Sequence, residues 1–558
     1  MSTPFAPGTA ELRGPRPRWY NAANIVPAAP RTAARAGGSP APPTPPAPGL
    51  SGLAVPLTLT AVLLAFSLLP RVRASRGLTL AVWGAAGALL LWQAALALRD
   101  RRTGLAGFIK VAPRPQHYIQ MCCHLGVYGY WGYYWDPVYP YLPLLAAQVV
   151  FAYAFDMLLS WTRRRPFGIG FGPIPIVFST NLFLWFRDDW FALQFLLIAT
   201  GFLGKTLIQW DRDGRRSHVF NPSAFALALF SLVLIATGQT GITWAQEINT
   251  TFGLGPRIYL VLFLIGLVVM FNFSTTYVTA PAAATLFAGS ALYHAATGVP
   301  YFIDTEIPSA VFLGLHLLVT DPSTSPRTPF GRVIFGVLYG AGVFVLYSLL
   351  GALGAPTFYD KLLCVPLLNL MVPAIDRAVA AVGEPRWLAL LGLTPPLGQR
   401  NLVHMGAWIL FFALMTATGR TDGMHEGDAL PFWQQACAAE KPQACARLLR
   451  IEGSYCADNA GWACNELGRH YLEGRLVMAD PDRAQAYFAR ACEGRFQPGC
   501  LNLLDSSAPV SAPPRTFDLR LLVREGGLNL MDMPEPALYA RACRHGWAFA
   551  CEKASAAR

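Results

Sequence analysis

The sequence predicts an all-α protein: a polytopic membrane helical bundle of about thirteen spans, followed by a small C-terminal α-helical repeat domain. Three observations carry this. Of 558 residues, 54% are apolar and only 14% charged, where a soluble chain is typically about 25% charged. The apolar residues come in long runs, among them Ala54 to Leu69, Leu78 to Leu98 and Val333 to Leu350, and a helix needs about 20 such residues to cross a bilayer. Eight of the eleven cysteines fall after residue 430, beyond the last such run. A soluble enzyme, a secreted disulfide mini-domain and a disordered regulator are excluded for the chain as a whole. The net charge of +12 reads as arginines in short loops holding helix ends at the cytoplasmic face, not as a nucleic-acid partner.

Residues 1–50 are rich in Pro, Ala, Gly and Arg with no apolar stretch near Met1, and predict a disordered cytoplasmic tail. Candidate spans then centre on 53–70, 78–98, 116–134, 138–161, 172–186, 191–208, 219–238, 256–272, 275–297, 308–320, 330–353, 357–382 and 403–419. They divide into two extra helices in 51–110, a core at 111–385, and a linker with the last span at 386–420. With the N-terminus inside, Arg99, Arg101, Arg102, Lys110, Arg163 to Arg165, Arg212, Arg215, Arg216 and Arg327 all fall inside, while loops 239–255 and 298–306 lack Lys and Arg and lie outside. That is the asymmetry expected of cytoplasmic loops. Arg71, Arg73, Arg76 and Arg187 run against it, the last beside Asp188 and Asp189. An odd number of spans puts the segment 421–558 outside.

That segment carries four cysteine pairs of one spacing, C-x7-C: Cys437/Cys445, Cys456/Cys464, Cys492/Cys500 and Cys543/Cys551. Across the turn of a helical hairpin this spacing brings two thiols within bridging distance, and lasting disulfides need an oxidising compartment such as the periplasm. Between Cys456 and Cys492 the run from Ala463 to Gly474, then Asp480, Ala484, Tyr487, Phe488 and Ala491, sets small residues at helix crossings and glycine at the turn. This resembles the Sel1-like repeat in its disulfide-bearing form, which implies a protein or peptide partner and no catalysis.

Three stretches of the core are too polar for lipid-facing helix: Ser217 to Phe225 with Asn221-Pro222, His316 to Gly331 with Thr320-Asp321-Pro322-Ser323-Thr324, and Leu368 to Asp376 with Asn369, Pro373 and Asp376. Asn221 before Pro222 is biased out of the helical region and suits a helix cap. Taken in this order, and with Arg114-Pro115-Gln116-His117-Tyr118 ahead of them, the stretches resemble the RnfD component of the Rnf electron-transport complex and the NqrB component of the sodium-pumping NADH:quinone reductase, including the related membrane proteins of enediyne gene clusters. The resemblance spans about 110–382.

It implies a membrane flavoprotein working with other membrane electron-transport subunits, coupled to ion movement, with Asn221, Pro222, Thr240, Asp321, Thr324, Asn369 and Asp376 as cofactor-binding candidates. In that family flavin mononucleotide is attached to a threonine in an S-x-A-T motif. No S-x-A-T stands between Pro222 and Asp321 here; Thr237-Gly-Gln-Thr240 is the nearest approach, which leaves Thr240 or a non-covalent flavin (mononucleotide or riboflavin) among the spans.

Other polar residues are weaker pointers. Asp156 reads as an interfacial carboxylate near Arg163 to Arg165, and Lys205 as snorkelling. His124, His294, His316 and His404 share no span at ligand spacing and no C-x-x-C-H is present, so haem is not expected. Two readings remain: a flavin-linked redox subunit, or a non-catalytic membrane scaffold that has lost covalent flavin and presents the repeats.

Overall fold

A computed structural model describes residues 53–103, 109–212, 214–253, 257–273, 275–302, 307–385, 388, 397–421, 425–457, 460–510, 536, 539–540, 543 and 548–556. The expected tail at 1–50 and most of the linker at 386–396 lie outside the described residues. Helices α1 (Ala54–Ala65), α2 (Pro70–Ala74) and α3 (Arg76–Thr103) come first. The core follows as α4 (Pro115–Tyr134), α5 (Val138–Thr162), α6 (Pro173–Asn181), α7 (Ala192–Leu207), α8 (Pro222–Ala236), α9 (Ala245–Phe252), α10 (Ile258–Phe273), α11 (Thr276–Thr297), α12 (Ser309–Leu317), α13 (Pro329–Ala352) and α14 (Asp360–Val382), with α15 (Leu397–Ala417) after it. Proline sits in the first turn of α4, α6, α8 and α13, where a missing N–H removes no helical bond.

Among the described residues, four helices are long and apolar enough to cross a bilayer by length and composition: Arg76–Arg99, Val138–Thr162, Pro329–Ala352 and Thr357–Val382. Five shorter apolar helices accompany them. Leu91, Leu292 and Leu410 are 75%, 71% and 74% exposed, and apolar side chains this open on apolar helices face lipid. The chain is a multi-pass membrane protein. Packing within it is close: Gly336 and Gly340 on α13 meet α11, where a Cβ on Gly336 would come within 2.3 Å of the Val278 carbonyl oxygen. Small residues four apart allow such an approach.

Two of the expected spans are not continuous helices. The stretches 172–186 and 308–320 hold α6 and α12, nine residues each, or about 13 Å of helix against a hydrocarbon core of roughly 30 Å. Apolar composition at 182–186 suggested helix, but the chain turns at 182–183 and tertiary hydrogen bonds then hold 184–186 out of the helix. Gln194 accepts from the Phe186 N–H at 2.9 Å and donates to the Leu184 carbonyl at 3.3 Å, and the Trp244 N–H donates to the Trp185 carbonyl at 2.7 Å. Irregular backbone at this depth survives only when protein covers it, and residues 182–186 are buried.

The all-α expectation also omitted two small sheets. β1 (Ile109–Val111) pairs in parallel with β2 (Phe167–Ile169), and β3 (Gln209–Arg212) pairs antiparallel with β4 (Arg215–His218). The second turns through Gly214 at φ 73°, the left-handed conformation such a hairpin favours.

The C-terminal segment contains α16 (Leu430–Ala438), α17 (Ala444–Ala457), α18 (Gly461–Glu473), α19 (Pro481–Glu493), α20 (Gln497–Leu504) and α21 (Ala548–Ala556). It has its own core around Trp433, Trp462 and Phe496. All four C-x7-C pairs are bridged. Cys437 to Cys445 ties α16 to α17, Cys456 to Cys464 ties α17 to α18, and Cys492 to Cys500 ties α19 to α20. The fourth joins Cys543 to Cys551 in α21. Cys122, Cys123 and Cys364 are free.

Candidate functional site

The three polar stretches meet at one end of the bundle. Asn221 caps α8, its Oδ1 accepting from the Ser223 and Ala224 N–H groups at 3.1 Å each. Its Nδ2 donates to the Leu318 carbonyl at 3.1 Å, and its own N–H donates to Asn369 Oδ1 at 3.1 Å. Asn369, fully buried on α14, donates from Nδ2 to the Thr324 carbonyl at 3.2 Å. One asparagine from each of two stretches thus fastens the chain that leaves α12. Pro222 occupies the first helical position beside the cap.

Two carboxylates close the rim. Asp376 Oδ2 lies 3.1 Å from Arg212 Nη2, and its Oδ1 accepts from the Arg327 N–H at 3.1 Å. Arg212 also donates to the Ser323 and Ser325 carbonyls. Asp321 Oδ2 stands 3.4 Å from His218 Nε2, and Asp321 Oδ1 accepts from the Ser323 N–H at 2.9 Å. Burial pushes the Asp321 carboxyl up, but the His218 hydrogen bond and charge, with the Ser323 donors, bring it below its ordinary value. The β3–β4 hairpin is what delivers both Arg212 and His218.

Six of the seven cofactor-binding candidates therefore assemble: Asn221, Pro222, Asp321, Thr324, Asn369 and Asp376. Thr240 does not. It opens a short 3-10 turn, Thr240–Ile242, beyond the far end of α8, about 22 Å away along fifteen residues of helix. The polar side chains of the assembled set are engaged with one another and with nearby backbone, so they form a lock and not a cradle with donors left over for a flavin ring. Thr240 is half-buried at the surface of the opposite end.

At that opposite end two of the four arginines that run against the loop-charge pattern find acidic partners. Arg71 pairs with Asp188 at 3.2 Å and Arg187 with Glu247 at 2.7 Å. The C-terminal helices dock on this same end: Lys441 Nζ donates to the Gly298 carbonyl at 2.9 Å, His294 pairs with Glu426 at 3.0 Å, and buried Arg447 donates to the Pro300 carbonyl. The Arg447 guanidinium also lies over Trp433, Tyr293 and Tyr301 at 5.4, 5.7 and 5.9 Å. Cys437 and Cys445, the first bridged pair, close the turn that carries Lys441. Cys464 is fully buried, while Cys445 and Cys500 are partly exposed. These bridged sulfurs hold the helices of the C-terminal segment together and take no part in the polar lock.

Sequence reasoning passed over two buried polar groups. Tyr141, Gln148, Asn181 and Gln194, all nearly or fully buried, form a ring. Tyr141 OH donates to Asn181 Oδ1 at 2.8 Å, Asn181 Nδ2 to Gln148 Oε1 at 2.7 Å, Gln148 Nε2 to Tyr141 OH at 3.1 Å, and Gln194 Nε2 to Asn181 Oδ1 at 3.2 Å. Asp360 and Lys361 pair at 3.2 Å with each side chain 2% exposed, and Lys361 lies over Phe358 at 4.6 Å. The signal for both was amide or charged residues inside apolar windows, without a local motif.

No protein-family model matches the sequence. Known proteins named as the D subunit of an ion-translocating oxidoreductase complex are similar to it. The one from Vibrio vulnificus strain YJ016 is 26% identical over 255 residues, covering 42% of this chain and 64% of the relative. That of Vibrio cholerae strain M66-2 is 29% identical over 246 residues, covering 42% and 63%. A shorter match to the Tolumonas auensis protein is 37% identical over 95 residues, covering 17% and 26%. The chain thus spans a little under two thirds of the Vibrio relatives.

Proposed function

We propose that this chain is a flavin-linked membrane subunit of an electron-transport complex of the ion-translocating oxidoreductase kind, assembled with other membrane subunits in a bacterial inner membrane. The Asn221 end faces the cytoplasm and the repeats face the periplasm. The observation that carries this reading is the convergence of the three stretches: Asn221 and Asn369, 148 residues apart, bond directly, and both fasten the Asp321 loop. The named relatives support the same reading over the matched part of the chain.

A bound flavin supplies reversible one- and two-electron transfer. The six locked residues do not fit a flavin site of their own, so the flavin sits on the Thr240 hydroxyl or between spans. The native absorption spectrum tests the reading, and ultraviolet fluorescence of the denatured protein separates the two placements: Thr240→Val abolishes a fluorescent band only when the flavin is covalent at that residue.

A second reading is a scaffold without flavin that presents the Sel1-like repeats to a protein partner. The buried Arg447 contact favours it, because it fixes the first repeat hairpin rigidly on the core.

A further inference from the structure

A groove of about 480 Å³ lies between α1, α5 and the strand pair β1–β2. Val55 and Leu59 of α1, Tyr153 and Met157 of α5, Val111 of β1 and Phe171 just beyond β2 line it. Its strand wall is close-packed: the Ala112 N–H donates to the Ile169 carbonyl at 2.9 Å, and a Cβ on Gly170 would come within 2.8 Å of the Ala112 carbonyl oxygen. Tyr153 is the polar member of the lining, and its hydroxyl donates to the Gly170 carbonyl at 2.7 Å. The lining side chains therefore offer a polar ligand no free donor, and the groove takes hydrocarbon. Val55 and Val111 are 37% and 75% exposed, so it opens outward from the bundle, toward lipid.

The rim of the groove is basic. Lys110 precedes Val111, Arg114 follows the strand, and Arg163 to Arg165 lead into β2; residues 109–119 and 163–172 hold these five cations and no Asp or Glu. Arg163 donates to the Thr206 carbonyl at 2.5 Å. Lys110, Arg114, Arg164 and Arg165 are exposed, and among the described residues no carboxylate pairs with them. The span Val138–Thr162 ends one residue before Arg163, which sets these charges where the hydrocarbon gives way to headgroups. Basic clusters at the ends of membrane helices hold anionic lipid headgroups. An apolar slot and an unpaired cationic rim thus adjoin, and an anionic phospholipid satisfies both in one molecule.

We propose that this groove binds one anionic phospholipid, with an acyl chain between α1, α5 and the β1–β2 pair and the phosphate among Lys110, Arg114, Arg164 and Arg165. A lipid seated there touches α1 and α5 at once, and so joins the N-terminal helices to the core. The inference rests on the membrane character of the chain and not on the redox reading.

The test is native mass spectrometry of the full-length protein, stripped of lipid in detergent and titrated with dioleoyl phosphatidylglycerol or dioleoyl phosphatidylcholine, which share acyl chains and differ in charge. Wild type binds one phosphatidylglycerol about tenfold tighter than phosphatidylcholine, the scale that a few cations at a lipid surface supply. Lys110→Gln with Arg114→Gln removes that preference. Leu59→Trp fills the groove and weakens binding of both lipids. Arg377→Gln, which removes an exposed cation of α14 outside the groove, leaves the preference intact. Equal binding of the two lipids by wild type, a preference that survives the double substitution, or one lost in Arg377→Gln overturns the proposal. So does unchanged lipid binding by Leu59→Trp, or displacement of phosphatidylglycerol by excess inorganic phosphate, which would leave an anion site without a lipid. None of these outcomes depends on whether the core holds flavin.

Discussion

Asn221 does several things at once. It caps α8, donates to the Leu318 carbonyl and, through its backbone N–H, meets Asn369. Loss of a cap costs about 1 kcal/mol, and an orphaned buried carbonyl adds about 1–3 kcal/mol. Asp376, by contrast, is a quarter exposed, and exposed pairs contribute roughly 0–1 kcal/mol. Asn221→Ala should therefore lower the thermal midpoint of the purified protein well below that of Asp376→Asn, whose Oδ1 still accepts from Arg327; equal losses would contradict the lock. In the repeats, Glu452 lies 3.0 Å from His470 and is almost fully buried. Burial holds its carboxyl above the ordinary value despite the His470 contact. A carboxyl raised in the folded state binds more protons there than in the unfolded chain, so stability falls as pH rises from about 4.3 through the raised value. Glu452→Gln should flatten that slope in pH-dependent melting of the C-terminal segment. The importance of Asn221, Asn369 and Asp321 was legible because each interrupts an apolar run within a recognisable stretch. Their distant partners were not, since no local pattern links residues 45 to 148 positions apart. The cysteine partners were legible, because Cys445, Cys464 and Cys500 each stand one fixed, short spacing from the cysteine they bridge.

Each expected apolar run contains a helix, and the runs follow the order of the helices, but the short helices Pro70–Ala74 and Ala245–Phe252 are not among them. The internal form of 172–186 and 308–320 could not be read from the runs, because what shortens α6 is a set of tertiary hydrogen bonds. Asn181 ends α6 while its side chain binds Tyr141, Gln148 and Gln194 from two other helices. Asn181→Leu restores the apolar run but leaves those three groups without their shared partner, at about 1–3 kcal/mol for each orphan. The expected outcome is a marked loss of monodisperse protein in detergent size-exclusion chromatography; a fully folded variant would mean the ring does not hold the break. The β3–β4 hairpin is the opposite case. Its Asp-Gly turn signal stands in the sequence inside a basic stretch, and the delivery of Arg212 and His218 follows from the strand pairing that this turn permits.

Across the whole molecule, the contacts sort into two ends. Residues 209–218, 321–328 and Asp376 gather at one, while Arg71, Asp188, Arg187, Glu247, residues 298–302 and the repeats gather at the other. These contacts, which loop charge alone does not determine, place the Asn221 stretch and the C-terminal helices at opposite ends of the described core. Thiol labelling of the denatured, unreduced protein should modify Cys122, Cys123 and Cys364 alone, and a periplasm-active reporter fused after Arg558 should be active. Eleven labelled thiols would place the repeats in a reducing compartment. The proposed function joins the two ends through electron transfer by a flavin, and that proposal is the central claim to test. The absorption spectrum of the purified native protein addresses this most directly: the account predicts flavin bands that bleach on reduction and return on reoxidation, at about one flavin or more per chain, and a full-length, folded protein with no flavin bands would contradict it.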